Sequence, residues 1–296
     1  MSLGEKRRIL IIGGTGTVGG NVLRELLADR ERFDIVAAAR SEKSAAVVHA
    51  AGHASIHLDL GKPETVRVAM QGVDTVFMLK PYGIDYLIQS KIVIDAAAKA
   101  RVRHIVNLGS HGDDDTVWSS IGWNRLVEAY LKQSGVGHTT LRPNYFMNNV
   151  GPRTNRETGE IVHYFGDTPV SWIAAEDIAR VAAIVLRDPL PHRGRAYPLA
   201  VEARTMEEIA GILSQTCGRD FRARHVPPDE AYAQLTARGW DGNFARNFVD
   251  FMQAIAEGRV SDVAQTFDTV RELTGSPALD WRDFATLHKA DFVQPA

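Results

Sequence analysis

Ile9-Leu10-Ile11-Ile12-Gly13-Gly14-Thr15-Gly16-Thr17-Val18-Gly19-Gly20-Asn21-Val22 opens on four apolar, mostly β-branched residues that stop abruptly at glycine. A short apolar run that breaks into a turn reads as a strand buried on both faces. The spacing Gly14-x-Gly16-x-x-Gly19 fits a dinucleotide-binding corner. One glycine makes the turn, one lets backbone approach a pyrophosphate, and one lets the next helix pack on its strand. A helix starting near Thr17 aims its free N–H groups and positive dipole end at the phosphates. Gly13, Thr15, Gly16, Thr17, Val18 and Gly19 are therefore candidate cofactor-binding residues.

Beyond this corner, strands and helices alternate. Asp34–Ala39 reads as the second strand and ends at Arg40. An acidic residue there, roughly 20 positions past the glycines, would hold the ribose 2′-hydroxyl of NAD. Arg40, followed by Ser41 and Lys43, cannot accept that hydrogen bond but pairs well with a 2′-phosphate. The expected cofactor is therefore NADP rather than NAD, with Arg40 and Lys43 at its phosphate. Ser41 caps a helix through Val48, and Pro63 starts another at its first turn. Strands follow at Ala54–Leu58, Asp74–Leu79, Arg103–Leu108 and His138–Leu141, with helices at Ile84–Ala100 and Ser120–Ser134. Strict alternation implies right-handed crossovers and one parallel sheet covered on both faces. The fold class is α/β, a Rossmann doubly wound sheet over residues 1–150.

From Arg142 the character changes. Arg142–Asn149 reads as an irregular aromatic loop. Short extended segments are expected at Glu160–Phe165, Pro169–Ile173, Tyr197–Ala200 and Arg222–Val226. Helices are expected at Glu176–Leu186, Thr205–Thr216, Asp229–Ala237, Phe244–Glu257, Asp262–Leu273 and Trp281–Ala290. Glu208 stands three residues after Thr205, which is a capping box. This half cannot make its own parallel sheet. Residues 151–296 read as a smaller, mostly helical substrate lobe with segments returning to the sheet edge.

The bulk numbers narrow the class. In 296 residues, 45% hydrophobic and 24% charged, the net charge is −2, so no basic or acidic excess points to nucleic acid or to an anionic membrane. The single cysteine, Cys217, allows no intrachain disulfide and suits a cytoplasmic setting. No apolar run approaches the roughly 18 residues of a membrane helix. Met1–Gly4 carries no signal-peptide pattern and reads as an expression scar.

With these residues in view, the chain resembles the NmrA-like branch of the atypical short-chain dehydrogenase/reductase superfamily. The marks are Gly13–Gly19, Arg40, and Asp59-Leu60 after the third strand. More specific are Val127-Glu128-x-Tyr130-Leu131-x-x-Ser134-Gly135 and Thr140-Leu141-Arg142-Pro143-Asn144-Tyr145-Phe146-Met147-x-Asn149. Val170–Ile173 with Glu176–Ala179, Val226–Glu230 and Leu273–Gly275 extend the likeness over nearly the whole chain. The resemblance implies NAD(P) at the carboxyl edge of the sheet. It puts Asp59 and Leu60 beside the adenine, Leu79, Lys80 and Pro81 over the cofactor's middle, and Pro143, Asn144, Tyr145 and Phe146 near the nicotinamide. Family members include quinone or azo reductases, isoflavone-type reductases and non-enzymatic redox sensors, so the ligand class is set and the activity is open.

The Tyr-x-x-x-Lys pair of the superfamily is missing. Its positions correspond to Ser120 and Asn124, flanked by Trp118 and Trp123, and Tyr130 has Ser134 where a lysine would stand. Serine is too weak an acid and asparagine carries no charge, which argues against carbonyl reduction with tyrosine as the acid. An acceptor whose reduced form is a stable anion needs no such donor. Two readings follow. One is a cytoplasmic NADPH-dependent oxidoreductase acting on a quinone, azo or conjugated small-molecule acceptor held at Tyr145 and Phe146. The other is a non-catalytic NADP(H) redox sensor with a regulatory protein partner. Either would be a monomer or a dimer.

Ser110, His111 and Tyr145 are the weak catalytic candidates. Ser110-His111 lacks the Gly-x-Ser-x-Gly of a nucleophile elbow, since position 108 is Leu. Ser110 would instead bond cofactor or substrate, or cap its loop, and His111 could donate a proton. His49, His53 and His57 recur every four residues, but Gly52 ends the helix before they share a face, so no metal is expected. Asp113–Asp115 reads as a solvated loop, and Phe244, Phe248, Phe251 and Met252 as core ahead of substrate-pocket lining.

Overall fold

The computed structural model describes residues 6–293 apart from 115 and 117. In chain order the elements are β1 (Arg7–Ile11), α1 (Thr17–Glu25), β2 (Phe33–Ala39), α2 (Glu42–Ala50), β3 (Ala54–His57), α3 (Pro63–Ala69), β4 (Thr75–Met78), α4 (Tyr86–Lys99), β5 (His104–Leu108), α5 (Ser119–Gln133) and β6 (Gly137–Pro143). There follow β7 (Tyr145–Phe146), β8 (Glu160–His163), β9 (Val170–Ile173), α6 (Ala175–Arg187), β10 (Ala196–Leu199), β11 (Glu202–Arg204), α7 (Met206–Cys217), β12 (Arg222–His225), α8 (Pro228–Ala237), α9 (Gly242–Ala256), α10 (Thr269–Thr274), α11 (Trp281–Leu287) and α12 (Lys289–Val293).

These elements form two compact units. The first takes the residues up to 109 together with 123–142 and 178–197, and the second takes 110–122, 143–177 and 198 onward.

The first unit is built on a seven-stranded sheet ordered β10-β6-β5-β4-β1-β2-β3. The chain works outward in one direction from β1 through β2 to β3, then returns to β4 and works outward in the other. That reversal beside β1 is the doubly wound switch point, and it opens a crevice at the carboxyl ends of the strands. Apolar residues cover both faces, as the sequence pattern requires. On one face Leu10, Met78 and Ile105 pack with Val93 and Ile94 of α4 and Val127 and Leu131 of α5. On the other, Ile9, Ile11, Phe77 and Val106 are fully buried. The end of α6 is tied to the end of α1, because Arg187 donates to the Asp29 carboxylate and the Glu25 carbonyl, both at 2.8 Å.

The second unit has its own core, in which Met147, Ile161, Phe165, Trp172, Leu213, Trp281 and Phe284 meet. Several expectations are corrected here. The stretch after β6 is not irregular throughout: Arg142 and Pro143 extend β6, and Tyr145–Phe146 forms β7, pairing parallel with β9. The C-terminal half does make parallel pairs of its own, since β12 runs beside β8 from Arg222↔Glu160 to His225↔His163. Strand β11, antiparallel to β9, is an element the sequence pattern did not reveal. The helix expected over Asp262–Leu273 begins only at Thr269. Its first part spends backbone groups elsewhere: the Val263 carbonyl accepts from Ser171 N and Phe267 N donates to the Ala200 carbonyl. The last helix is broken at His288, whose ring is held by Glu176 at 3.1 Å and Asp291 at 3.0 Å.

The expectations for the cap of α7, the aromatic core positions and the end of α2 hold. Thr205 and Glu208 form the capping box of α7. Phe244, Phe251 and Met252 are buried, and Phe248 packs against the core that holds Phe251 and Met252. Gly52, at φ +77°, ends the segment after α2, so the three histidines share no helix face. Among the described residues no cluster could hold a metal ion, and no helix is long and apolar enough to cross a membrane. Met1–Gly4 and Asp115 lie outside the described residues.

Candidate functional site

In the first unit the corner after β1 is a turn closed by Gly16 N donating to the Gly13 carbonyl at 3.0 Å. Gly13 adopts φ +84°, the left-handed region that favours glycine. The turn glycine is thus Gly13. Gly14, which opens the fingerprint spacing, is needed for packing instead, because a Cβ there would lie 3.0 Å from Leu23 and 3.1 Å from Ala37. Gly19 is the closest approach: a Cβ would stand 2.1 Å from the Gly13 carbonyl oxygen. Only a residue without a side chain lets α1 start so near the end of β1. Gly16 is the N-cap of α1 and has no side-chain cap, and the first turn holds no acidic residue. Thr15, Gly16 and Thr17 are exposed while Val18 and Gly19 are buried, so the helix presents bare backbone outward. This cradle suits a pyrophosphate.

Arg40 stands one residue past β2 and is exposed, as is Lys43 in the first turn of α2. Ser41 and Ser44 satisfy each other in a capping box, the Ser44 hydroxyl taking Ser41 N at 2.9 Å. Among the described residues neither Arg40 nor Lys43 has an ion-pair or side-chain hydrogen-bond partner. Asp59 has a local task, accepting from Gly61 N at 3.0 Å while its own N–H bonds Thr65. Leu60 is half-buried beside it. Leu79 lies over Gly13, its Cδ2 only 2.8 Å from where a Cβ would be. The topology thus brings the ends of β4, β1, β2 and β3 side by side, with Leu79, Lys80 and Pro81, the glycine corner, Arg40 and Asp59 along one edge.

Lys80 is the unexpected member. It is 6% exposed, and its ammonium donates to Asn107 Oδ1 at 3.0 Å and lies 4.8 Å from the centre of the Tyr86 ring. Burial lowers its pKa to about 7. Tyr86 donates its hydroxyl to Asn124 Oδ1 at 2.5 Å, and burial pushes that hydroxyl's pKa up. So a lysine and a tyrosine do meet in this unit, in the loop just past β4 and on α4 rather than on α5. Asn124, at the position where the resemblance expects a lysine, accepts from that tyrosine; the side chain of Ser120 lies outside the described residues. Asn107, a polar residue inside the apolar strand His104–Leu108, was the legible hint of this network. Tyr86 and Asn124 left none, being 38 residues apart. Nearby, Glu128 accepts from Arg142 at 2.5 Å and from Arg125 at 2.9 Å.

In the second unit, His111 N donates to the Pro143 carbonyl at 2.8 Å, which fixes the segment carrying Ser110 and His111 against Pro143. The His111 ring faces Asp262 at 3.4 Å and Phe267 edge-on at 5.1 Å. Ser110 is half-buried. Asn144 donates to the Ser171 hydroxyl at 2.8 Å and the Val263 carbonyl at 2.9 Å, so its amide serves the fold. Tyr145 meets Phe165 edge-on at 4.6 Å and Trp172 at 5.9 Å. Tyr145 and Phe146 line a cavity with Arg153, Phe165, Trp172 and Met206, whose empty space is ≈ 310 Å³. Burial raises the Tyr145 pKa, the direction opposite to that needed by a tyrosine acid.

The NmrA-like family model matches residues 5–283. The chain is 33% identical to the NAD(P)H azoreductase of Xenophilus azovorans over 288 residues, covering 96% of this chain and 99% of that protein. It is 32% identical to (4-alkanoyl-5-oxo-2,5-dihydrofuran-3-yl)methyl phosphate reductase of Streptomyces griseus, covering 96% and 99%. Among solved structures it resembles the Citrobacter sp. triphenylmethane reductase complexed with NADP(H), with a TM-score of 0.79 and 26% identity over 95% of this chain and 99% of that one.

Proposed function

This chain belongs to the NmrA-like family, and we propose that it is an NADPH-dependent reductase of small conjugated acceptors such as azo compounds and quinones. One observation carries the reading: a solvent-facing guanidinium, Arg40, with no ion-pair partner among the described residues, at the end of the strand beside the glycine corner. Gly13, Thr15, Gly16, Thr17, Val18 and Gly19 would hold the pyrophosphate of NADPH, and Arg40 with Lys43 its 2′-phosphate. Asp59 and Leu60 would lie at the adenine, and Leu79, Lys80 and Pro81 at the middle of the cofactor. When bound, NADPH supplies the hydride equivalent.

The chain's own residues determine which acceptors fit. Tyr145, Phe165 and Trp172 present ring faces and edges to a flat ligand and exclude water from it. A simple ketone develops alkoxide charge on reduction and needs a positioned general acid at hand. Tyr145 is a poor acid here, and Asn124 and Tyr86 are engaged with each other. The delocalised anion of a reduced quinone takes its proton from water. The relatives named for an azo compound and a triphenylmethane dye support this acceptor class.

Steady-state nucleotide oxidation over a panel of azo, quinone and triphenylmethane acceptors tests the reading. Acceptor-dependent turnover, faster with NADPH than with NADH, is the expected result; no turnover above background with any of them sinks it. Arg40→Asp should cost NADPH about 1.5–3 kcal/mol of binding, the range of a charge-assisted contact, with little effect on NADH. Unchanged discrimination in a paired titration would remove Arg40 as the phosphate clamp.

A further inference from the structure

The cavity at Tyr145 contains a charge that no acidic group of the described protein balances. We infer that this cavity selects flat aromatic ligands bearing an oxyanion such as a carboxylate, and that Arg153 is the residue that pairs with it. The inference rests on the reductase reading in one respect: the ligand is taken to be the acceptor.

The walls are aromatic and apolar, from Tyr145, Phe165, Trp172, Ile161 and Met206. The ≈ 310 Å³ of space between these walls is continuous with open solvent, so a ligand can enter the cavity from outside. Arg153 lines it with its guanidinium 5.3 Å from the centre of the Tyr164 ring. Among the described residues no carboxylate or carbonyl accepts from that guanidinium. Burial lowers its pKa, and the nearby Arg238 adds a second positive charge in the same direction. Arg153 is half-buried, and partial removal of a cation from water without a counter-ion carries a cost that the ring beneath it offsets only in part. An oxyanion entering the slot would supply the rest, through the two-pronged geometry that a guanidinium offers a carboxylate.

Nothing else in the cavity competes for that role. No Asp or Glu lines it. His163, also in the wall, is kept neutral at physiological pH because burial and the neighbouring His225 lower its pKa to about 4. Asp262, which acts on Tyr145, faces His111. Asn149 adds an amide that can bond an oxyanion but not replace its counter-charge.

The test uses 1-naphthoate and its neutral counterpart 1-naphthamide, titrated calorimetrically into the full-length protein. Naphthoate should bind at least about tenfold more tightly than naphthamide. Arg153→Met, which keeps the stem against Tyr164, should erase that preference and leave naphthamide within about twofold. Arg153→Lys should restore part of it. An unchanged NADPH titration in each variant shows that the fold is intact. Equal affinity for the two probes in the wild type, no binding of either, or a preference that survives Arg153→Met overturns the inference. Failure of the reductase reading looks different: charge-dependent naphthoate binding with no turnover of any acceptor would leave Arg153 in its role and remove the enzyme.

Discussion

Between pH 7.5 and 10 the wild-type protein should gain stability relative to a Lys80→Met variant, by up to about 1.4 kcal/mol for each pH unit. The cause is the ammonium enclosed between Asn107 and Tyr86. Folding lowers the Lys80 pKa from 10.5 to about 7, so between those values the unfolded chain binds the extra proton and the folded chain does not. Raising the pH through this window therefore favours the folded state. Below about pH 7 both states are charged, and the whole cost of burying the ammonium, on the order of 5 kcal/mol, is present. Above the unfolded value both are neutral and the cost is gone. Methionine fills similar space without a charge. It strands the Asn107 carbonyl, a loss that does not vary with pH and is of roughly 1–3 kcal/mol. Urea unfolding of both proteins at several pH values reads the difference in slope. Parallel pH profiles would show that Lys80 keeps an ordinary pKa in the folded protein.

Gly19→Ala should destabilise the protein by about 3 kcal/mol or more and lower its melting temperature by roughly 5–10 °C. The added Cβ would meet the Gly13 carbonyl oxygen at 2.1 Å and Gly14 N at 2.9 Å, and these are backbone atoms that cannot swing aside. Gly16→Ala separates stability from binding. Gly16 has an ordinary φ of −91°, and its Cβ would approach the Gly13 carbonyl only to 3.4 Å. The free protein should tolerate the methyl group. A pyrophosphate resting on that backbone would not, so NADPH affinity should fall by at least about tenfold while melting hardly changes. Calorimetric melting of the free proteins and NADPH titration distinguish the two effects. A Gly16→Ala variant that binds NADPH like the wild type would mean that the phosphates do not rest on this corner.

The elements of the sheet could be read directly from the chain because their determinants are local. A both-faces-buried strand must be apolar at consecutive positions, as Ile9–Ile12 is. A tight corner must be glycine, the helix starts at Ser41 and Thr205 carry their own caps, and Pro63 sets the first turn of α3. These signals depend on residues within one turn of each other. Arg40 belongs with them, since its place follows from the length of one strand–helix–strand unit.

Where the determinants are far apart in sequence, the tertiary structure alone decided. The two residues of β7 exist as a strand because β9, with Trp172 and Ile173, lies beside them. The stretch 262–268 is not helical because β9 and Ala200 take up its backbone groups. The low pKa of Lys80 comes from burial beside a ring on α4 and an amide on β5, and no spacing rule links positions 80, 86 and 107. Arg153 could have paired with any of 36 acidic residues as far as composition tells. Its standing among aromatic rings follows from which side chains the folded chain brings to one cavity, because charge compensation is set by distance in space and not by order along the backbone.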